Sequence, residues 1–139
     1  MTMNQPEQLI HAWVNFSKFH NRVTQSLDYF LQQKYHFGLN EFYLMMLLNE
    51  TSEKKLRLSQ LQNMISLSQS ALSRLVSRLE QHHLQPVERT SYIDDKRSIY
   101  VVLTPSGQQH ISTIQSEVNI ILQESLSEKD ISNIQLFTE

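Results

Sequence analysis

The sequence predicts a mainly α-helical single domain. Long helices stand at both ends, and a buried helix, two short helices and a two-stranded β-hairpin lie between them. Three observations carry this reading. Apolar residues recur at helical spacing through both ends of the chain. Residues typical of strands cluster in two short runs, Val87 to Thr90 and Ser98 to Leu103. Glycines and prolines are few, two and three, and they punctuate the periodic segments.

Pro6 opens the first helix. Leu9, Trp13, Phe16, His20, Val23, Leu27 and Phe30 step alternately by four and three, one apolar stripe along about seven helical turns. Gly38 is placed to end this helix in a left-handed conformation. Asn40 is the expected N-cap of a second helix. Glu41 then lies near its positive end, and Leu39 with Leu44 form a hydrophobic staple. The run from Phe42 to Leu48 is apolar on every side, which predicts a buried helix. Asn49 to Lys55 is polar and reads as a loop. A short helix follows from Leu58 to Met64, and another enters through Ser68 as N-cap and runs to about Gln81. The two strand-like runs enclose a charged tip, Asp94-Asp95-Lys96-Arg97, in a hairpin too small to stand alone. Thr104 as N-cap and Pro105 at the first helical position start a long helix with Ile111, Ile114, Val118, Ile121 and Leu122 on one face. Ser127 caps the last helix, with Asp130 three residues on and Leu126 facing Ile131.

Composition excludes several function classes. Apolar residues are 40% of the 139, enough for one core, and 19% are charged, too few for a disordered chain. Without cysteine there are no disulfides, zinc–thiolate sites or thiol redox chemistry. No apolar run approaches the ~18 residues of a membrane span. Met1 to Gln8 lacks a signal-peptide pattern, so the chain reads as cytoplasmic, with no membrane partner. There is no glycine-rich phosphate loop and no nucleophile elbow, and Asp94-Asp95 at a hairpin tip has no burial to shift a pKa. No catalytic residue and no cofactor is therefore expected. The histidines are His11, His20, His36, His82, His83 and His110. None pair at i, i+4, and the adjacent His82 and His83 are expected to point apart, so no metal ligand is assigned.

Charge points to nucleic acid. The chain carries −2 overall, but Lys54 to Thr104 holds eight basic and four acidic residues, a balance of +4 against −6 for the remainder. Within this basic segment, Leu72, Leu75, Val76 and Leu79 take one face of the helix that Ser68 caps, at about 100° per residue. Gln69, Ser70, Ser73, Arg74 and Ser77 take the opposite face, with no acid before Glu80. Gln pairs with adenine, Arg with guanine, and Ser lets a helix sit close to base edges or phosphates. Arg78 lies on the flank within reach of a phosphate, and the helix N-terminus favours an anion. The hairpin adds Arg89, Lys96 and Arg97 for an adjacent minor groove, with Asp95 placed to hold Arg97 extended.

Three segments carry a family resemblance. They are Leu58-Ser59-Gln60-Leu61, the helix from Leu67-Ser68-Gln69-Ser70 through Arg74-Leu75 to Leu79-Glu80, and Asp95-Lys96-Arg97 leading to Leu103-Thr104-Pro105-Ser106-Gly107. In these the chain resembles the MarR family of winged helix-turn-helix regulators over nearly its whole length. It departs at Gln62, where a small residue is common, at His83, where glycine usually ends the helix, and in a longer link from Leu84 to Asp95. The resemblance implies a sequence-specific double-stranded DNA-binding transcription regulator, a repressor acting as a homodimer on an inverted-repeat operator. It implies that residues 1–38 and 105–139 form dimerisation helices around a winged helix-turn-helix lobe, 39–104. Leu9, Trp13, Phe16, Ile114, Val118, Ile121, Leu122, Ile131 and Ile134 would then form the dimer contact. It also implies a small aromatic effector bound between scaffold and lobe, where Trp13, Phe16, Phe42, Tyr43 and Met46 would line a cleft or serve as plain core. A winged-helix protein-interaction module without DNA affinity and a metal-responsive regulator are the alternative readings.

Overall fold

The computed structural model describes residues 6–92 and 95–138, with side chains for 8–91 and 98–138. Among the described residues the elements run α1 (Pro6–Tyr35), α2 (Leu39–Glu50), β1 (Lys55–Arg57), α3 (Leu58–Ile65), α4 (Gln69–Gln81), β2 (Val87–Tyr92), β3 (Asp95–Leu103), α5 (Pro105–Ser125) and α6 (Glu128–Gln135). A 3-10 turn, Leu136–Thr138, closes the series.

The all-round apolar helix is the centre of the molecule. Phe42, Leu44, Met45 and Leu48 of α2 are buried among Leu27 and Leu31 of α1, Leu61 of α3 and the Leu72, Leu75, Val76 and Leu79 stripe of α4. Val87, Val101 and Leu103 of the sheet and Ile111, Ile114 and Val118 of α5 complete this core. A side chain of this kind contributes roughly 1.5–3 kcal/mol when fully buried, so one shared core holds α1 and α5 to α2, α3, α4 and the sheet.

Helix starts follow local chemistry. Ser68 Oγ accepts from Ala71 N–H at 3.1 Å, Thr104 Oγ1 accepts from Gly107 N–H at 3.0 Å, and Ser127 and Asp130 exchange bonds of 3.0 and 3.1 Å. The junction between α1 and α2 departs from expectation. His36, not Gly38, takes the left-handed conformation after α1, with φ 62°. Gly38 is extended and is itself the N-cap of α2, in place of Asn40. The reason is space and charge. Glu41 Oε2 accepts from Gly38 N–H at 3.1 Å and Asp28 Oδ1 accepts from Leu39 N–H at 2.9 Å. A Cβ on Gly38 would lie 2.8 Å from that Glu41 oxygen and 2.9 Å from that Asp28 oxygen.

The sheet has three strands, not two. Lys55, read as the end of a loop, and Leu56 and Arg57, assigned to no element, pair antiparallel with Val102, Val101 and Tyr100, so the order is β1-β3-β2 with β3 central. Three residues with one apolar side chain carry no periodic signal, and the partner strand supplies what is missing. The hairpin pairs Val87 with Leu103 through Ser91 with Ile99, and its register shifts at Ser91/Tyr92. Gln85, with φ 45°, makes the turn between α4 and β2. The hairpin base crosses α5 closely: a Cβ on Gly107 would stand 2.3 Å from the Pro86 carbonyl oxygen.

Candidate nucleic-acid interface

The buried stripe of α4 fixes its rotation about its own axis. With Leu72, Leu75, Val76 and Leu79 inward, Gln69, Ser70 and Arg74 are exposed and Ser73 and Ser77 are half-buried on the opposite side. Ser68 Oγ, the cap, also lies 3.4 Å from Ser70 Oγ.

The three arginines of this region differ in what holds them. Arg74 is exposed and has no hydrogen bond or ion pair with any described residue. Arg78, expected to be available to a phosphate, reaches the other way. Its Nη2 and Nε lie 3.0 and 3.3 Å from Glu41 Oε1. Glu41 is buried, so one carboxylate caps α2 and pins the flank of α4. Arg89, expected to offer its charge from the wing, folds back onto α4. Its Nη1 donates to Ser77 Oγ at 3.1 Å and pairs with Glu80, and its Nη2 donates to Ser73 Oγ at 3.0 Å and to Ser73 O at 2.7 Å. Its backbone N–H donates to Glu80 Oε2 at 2.9 Å. The helix is therefore tied on both flanks, and its face between them is left open.

Asp95, Lys96 and Arg97 lie on the backbone of β3, but their side chains lie outside the described residues, as does Asp94. On the far edge of the sheet β1 contributes cations that the sequence reading left out. Arg57 Nε donates to Tyr100 Oη at 2.9 Å, and the Lys55 and Arg57 cations each stand 5.6 Å from the Tyr100 ring centroid. The clustering of Lys54, Lys55 and Arg57 beside Leu58-Ser59 was the available signal. A groove of about 350 Å³ between α3 and the sheet is lined by Arg57, Ser59, Gln62, Gln69 and Ser98.

The residues expected at a dimer contact separate into two groups. Ile114 and Val118 are buried in the chain's own core, because the inner face of α5 packs on α1 and α2. Ile121, Leu122 and Ile131 are half-buried, the first two against that core. Leu9 (70% exposed), Trp13 (63%), Phe16 and Ile134 remain open to solvent, joined by Ile10, Val14 and Phe137 (80%). Phe16 links the two ends of the chain, its ring 5.8 Å from Trp13 and 6.4 Å from Phe137. Beside them a cleft of about 700 Å³ lies between α1, α2, α5 and α6. Phe16, Phe42, Tyr43 and Met46 line it and Trp13 does not. Burial pushes the Tyr43 phenol up, which keeps its hydroxyl protonated.

The C-terminal ends of α1 and α4 meet through histidines. His82 and His83 stack, with ring centroids 4.3 Å apart, rather than pointing apart. The chain leaves the helix at His82, so the spacing of side chains on a helix no longer applies. His82 Nε2 lies 2.5 Å from the Tyr35 carbonyl oxygen and Nδ1 accepts from Leu84 N–H at 3.1 Å, an arrangement that requires the neutral Nε2–H tautomer. Desolvation, with His83 and His36 nearby, holds the His82 pKa below 6.5 against the opposing bond to Tyr35. Tyr35 and Lys34 both hydrogen-bond Glu117 of α5. Burial, the bond to Glu117 and its charge push the Tyr35 phenol up to about 12. Partial burial alone would raise the Glu117 carboxyl, but the bonds from Lys34 and Tyr35 outweigh it and its pKa falls. Among the described residues no group of three His, Asp or Glu side chains is placed to hold a metal ion, and no helix is long and apolar enough to cross a membrane.

No protein-family model and no curated protein matches this sequence. Solved structures do. AbsC, a MarR family transcriptional regulator from Streptomyces coelicolor, superposes with a TM-score of 0.80 at 20% identity, over 97% of this chain and 91% of that one. Sco3205, a MarR family transcriptional regulator from the same organism solved in complex with DNA, gives 0.81 at 20% identity, over 96% and 84%. A mutant of MarR from E. coli complexed with operator DNA gives 0.73 at 17% identity, over 99% and 96%. The likeness covers most of each chain, and this chain folds as a MarR-type winged helix-turn-helix protein.

Proposed function

We propose that this protein is a sequence-specific double-stranded DNA-binding transcription regulator, a cytoplasmic repressor that acts as a homodimer on an inverted-repeat operator. The observation that carries the reading is the open face of α4. Opposite a fully buried leucine stripe it presents Gln69, Ser70, Ser73, Arg74 and Ser77, and Arg74 is a cation with no partner among the described residues. A solvated face of an ordinary helix carries compensating Glu and Lys. This one carries the side chains that pair with base edges and phosphates. Lys96 and Arg97 at the hairpin tip supply charge to the flanking minor groove, with Asp95 beside them. Two solved proteins of this fold bind DNA, which agrees with the reading.

The homodimer is supported by apolar surface that one chain leaves bare. Leu9, Trp13, Phe16 and Ile134, with Phe137, form a patch drawn from both chain ends, and such patches mark interaction sites. Residues 1–38 and 105–139 then serve as scaffold and 39–104 as the reading lobe. The cleft under Phe16, Phe42, Tyr43 and Met46 suits a small aromatic effector, with the protonated Tyr43 hydroxyl as its polar anchor. Sites selected from a random duplex library, followed by fluorescence anisotropy at two salt concentrations, test the proposal. Selection of an inverted repeat, with affinity falling steeply with salt, supports it. Equal weak binding to every duplex would refute it.

A further inference from the structure

Arg89 is built into one flank of α4, and this bears on what that helix can read. A serine hydroxyl has one proton to donate and two lone pairs to accept with. Serines elsewhere in these helices spend the proton on the carbonyl one turn back: Ser17 on Trp13 O at 2.9 Å, Ser26 on Arg22 O at 3.1 Å, Ser116 on Ser112 O at 3.1 Å. Ser73 and Ser77 do not. Each accepts from Arg89, at 3.0 and 3.1 Å, and neither donates to any described residue. The carbonyl that Ser77 would use, Ser73 O, already accepts from Arg89 Nη2 at 2.7 Å. Glu80 pairs with the same guanidinium, so no net charge is added to the face.

We propose that Arg89 is a specificity-determining positioning residue: by donating to Ser73 and Ser77 it fills one lone pair on each hydroxyl and holds both out of the back-bonded state, so that their protons stay available to donate to a ligand on the open face. The proposal rests on the DNA-binding reading above and sharpens it. A pair with free protons favours acceptors: purine N7, guanine O6, thymine O4 and phosphate oxygens take those protons, whereas the amino groups of cytosine and adenine can use only the one lone pair left on each hydroxyl. Only the fork of an arginine serves here. A lysine would keep the charge opposite Glu80 but has no planar pair of N–H groups with which to reach both serines.

The test uses the full-length protein and its selected duplex. One arm replaces each purine in turn by its 7-deaza analogue, which removes the N7 acceptor. The other replaces single phosphates by methylphosphonates. For the wild type, removal of the acceptor that faces either serine should weaken binding about three- to tenfold, and the arm that responds tells base edge from backbone. Arg89→Lys should abolish that sensitivity while Arg74-dependent positions keep theirs. The variant Ser73→Ala with Ser77→Ala, which leaves the fold of Arg89 on Glu80 intact, should abolish it too, and adding Arg89→Lys to it should change base preference no further. If the double serine variant retains the wild-type acceptor sensitivity, or if Arg89→Lys weakens all duplexes equally with that sensitivity unchanged, the proposal is wrong. A wild type that binds no duplex selectively would instead overturn the DNA-binding reading itself.

Discussion

At the scale of single residues, three arginines within sixteen positions have three employments, and each gives a different expected outcome. Arg74→Ala removes a cation that has no partner among the described residues from the open face of α4, so it should cost about 1–3 kcal/mol of operator affinity and relax one base preference while the melting temperature holds. Arg78→Ala takes a partner from the buried Glu41 carboxylate. Arg78 itself is largely exposed, so solvent screens the pair and the loss of stability should be only about 1 kcal/mol, read by denaturant titration. Gly107→Ala drives a Cβ against the Pro86 carbonyl, a backbone atom that cannot swing aside, and should destabilise by about 1–3 kcal/mol. His82 makes stability depend on pH. Its folded pKa lies below 6.5, so its contribution is present above 6.5 and is lost as pH falls through the lower folded value, when protonated Nδ1 meets the Leu84 N–H. Urea titrations from pH 7 to pH 5 should show that decline, and His82→Asn, whose amide oxygen can take the Leu84 N–H, should flatten it.

At the scale of elements, what was legible in the sequence was what is settled locally. Ser68, Thr104 and Ser127 each announce a helix through a side chain that bonds a backbone N–H three residues on, and each does so in the structure. The buried character of α2 and the rotation of α4 follow from side-chain pattern alone. Features decided by distant parts of the chain were not legible. Strand β1 exists because β3 lies beside it, Gly38 is glycine because Asp28 and Glu41 converge on it, and Ile114 and Val118 are inside because α5 packs on α1 and α2. The candidate site divides the same way. The exposed side of α4 was predictable from spacing, whereas the withdrawal of Arg78 and Arg89 toward Glu41 and Glu80 depends on partners 37 and 9 positions away. Replacing the cap of α6, Ser127→Ala, should cost about 1 kcal/mol and fray that helix, visible as faster amide exchange from Asp130 onward.

At the scale of the whole molecule, the exposed patch draws on α1 and on the segment from Ile134 to Phe137, so the proposed homodimer contact would be built from both. Trp13→Glu with Leu9→Glu should yield a monomer by sedimentation equilibrium, with the lobe still folded by circular dichroism, because neither residue contributes to the core. A wild type that sediments as a monomer at micromolar concentration would contradict the homodimer. Two recognition helices related by a two-fold axis need half-sites about one turn, ~10 bp, apart. Inserting 5 bp between the halves should drop affinity to the non-specific level.

The joints between elements are turned by His36, Lys54, Ser66 and Gln85, all with φ between 45° and 63°, and none of them is glycine. A left-handed residue with a Cβ costs roughly 1–2 kcal/mol, and asparagine tolerates the conformation better than most. The fold thus holds a reserve of thermostability that evolution has left unspent. Ser66 and Gln85 are exposed and their side chains bond nothing described, which makes them the places to draw on it. Ser66→Asn with Gln85→Asn should raise the melting temperature by about 2–4 °C without touching the reading face.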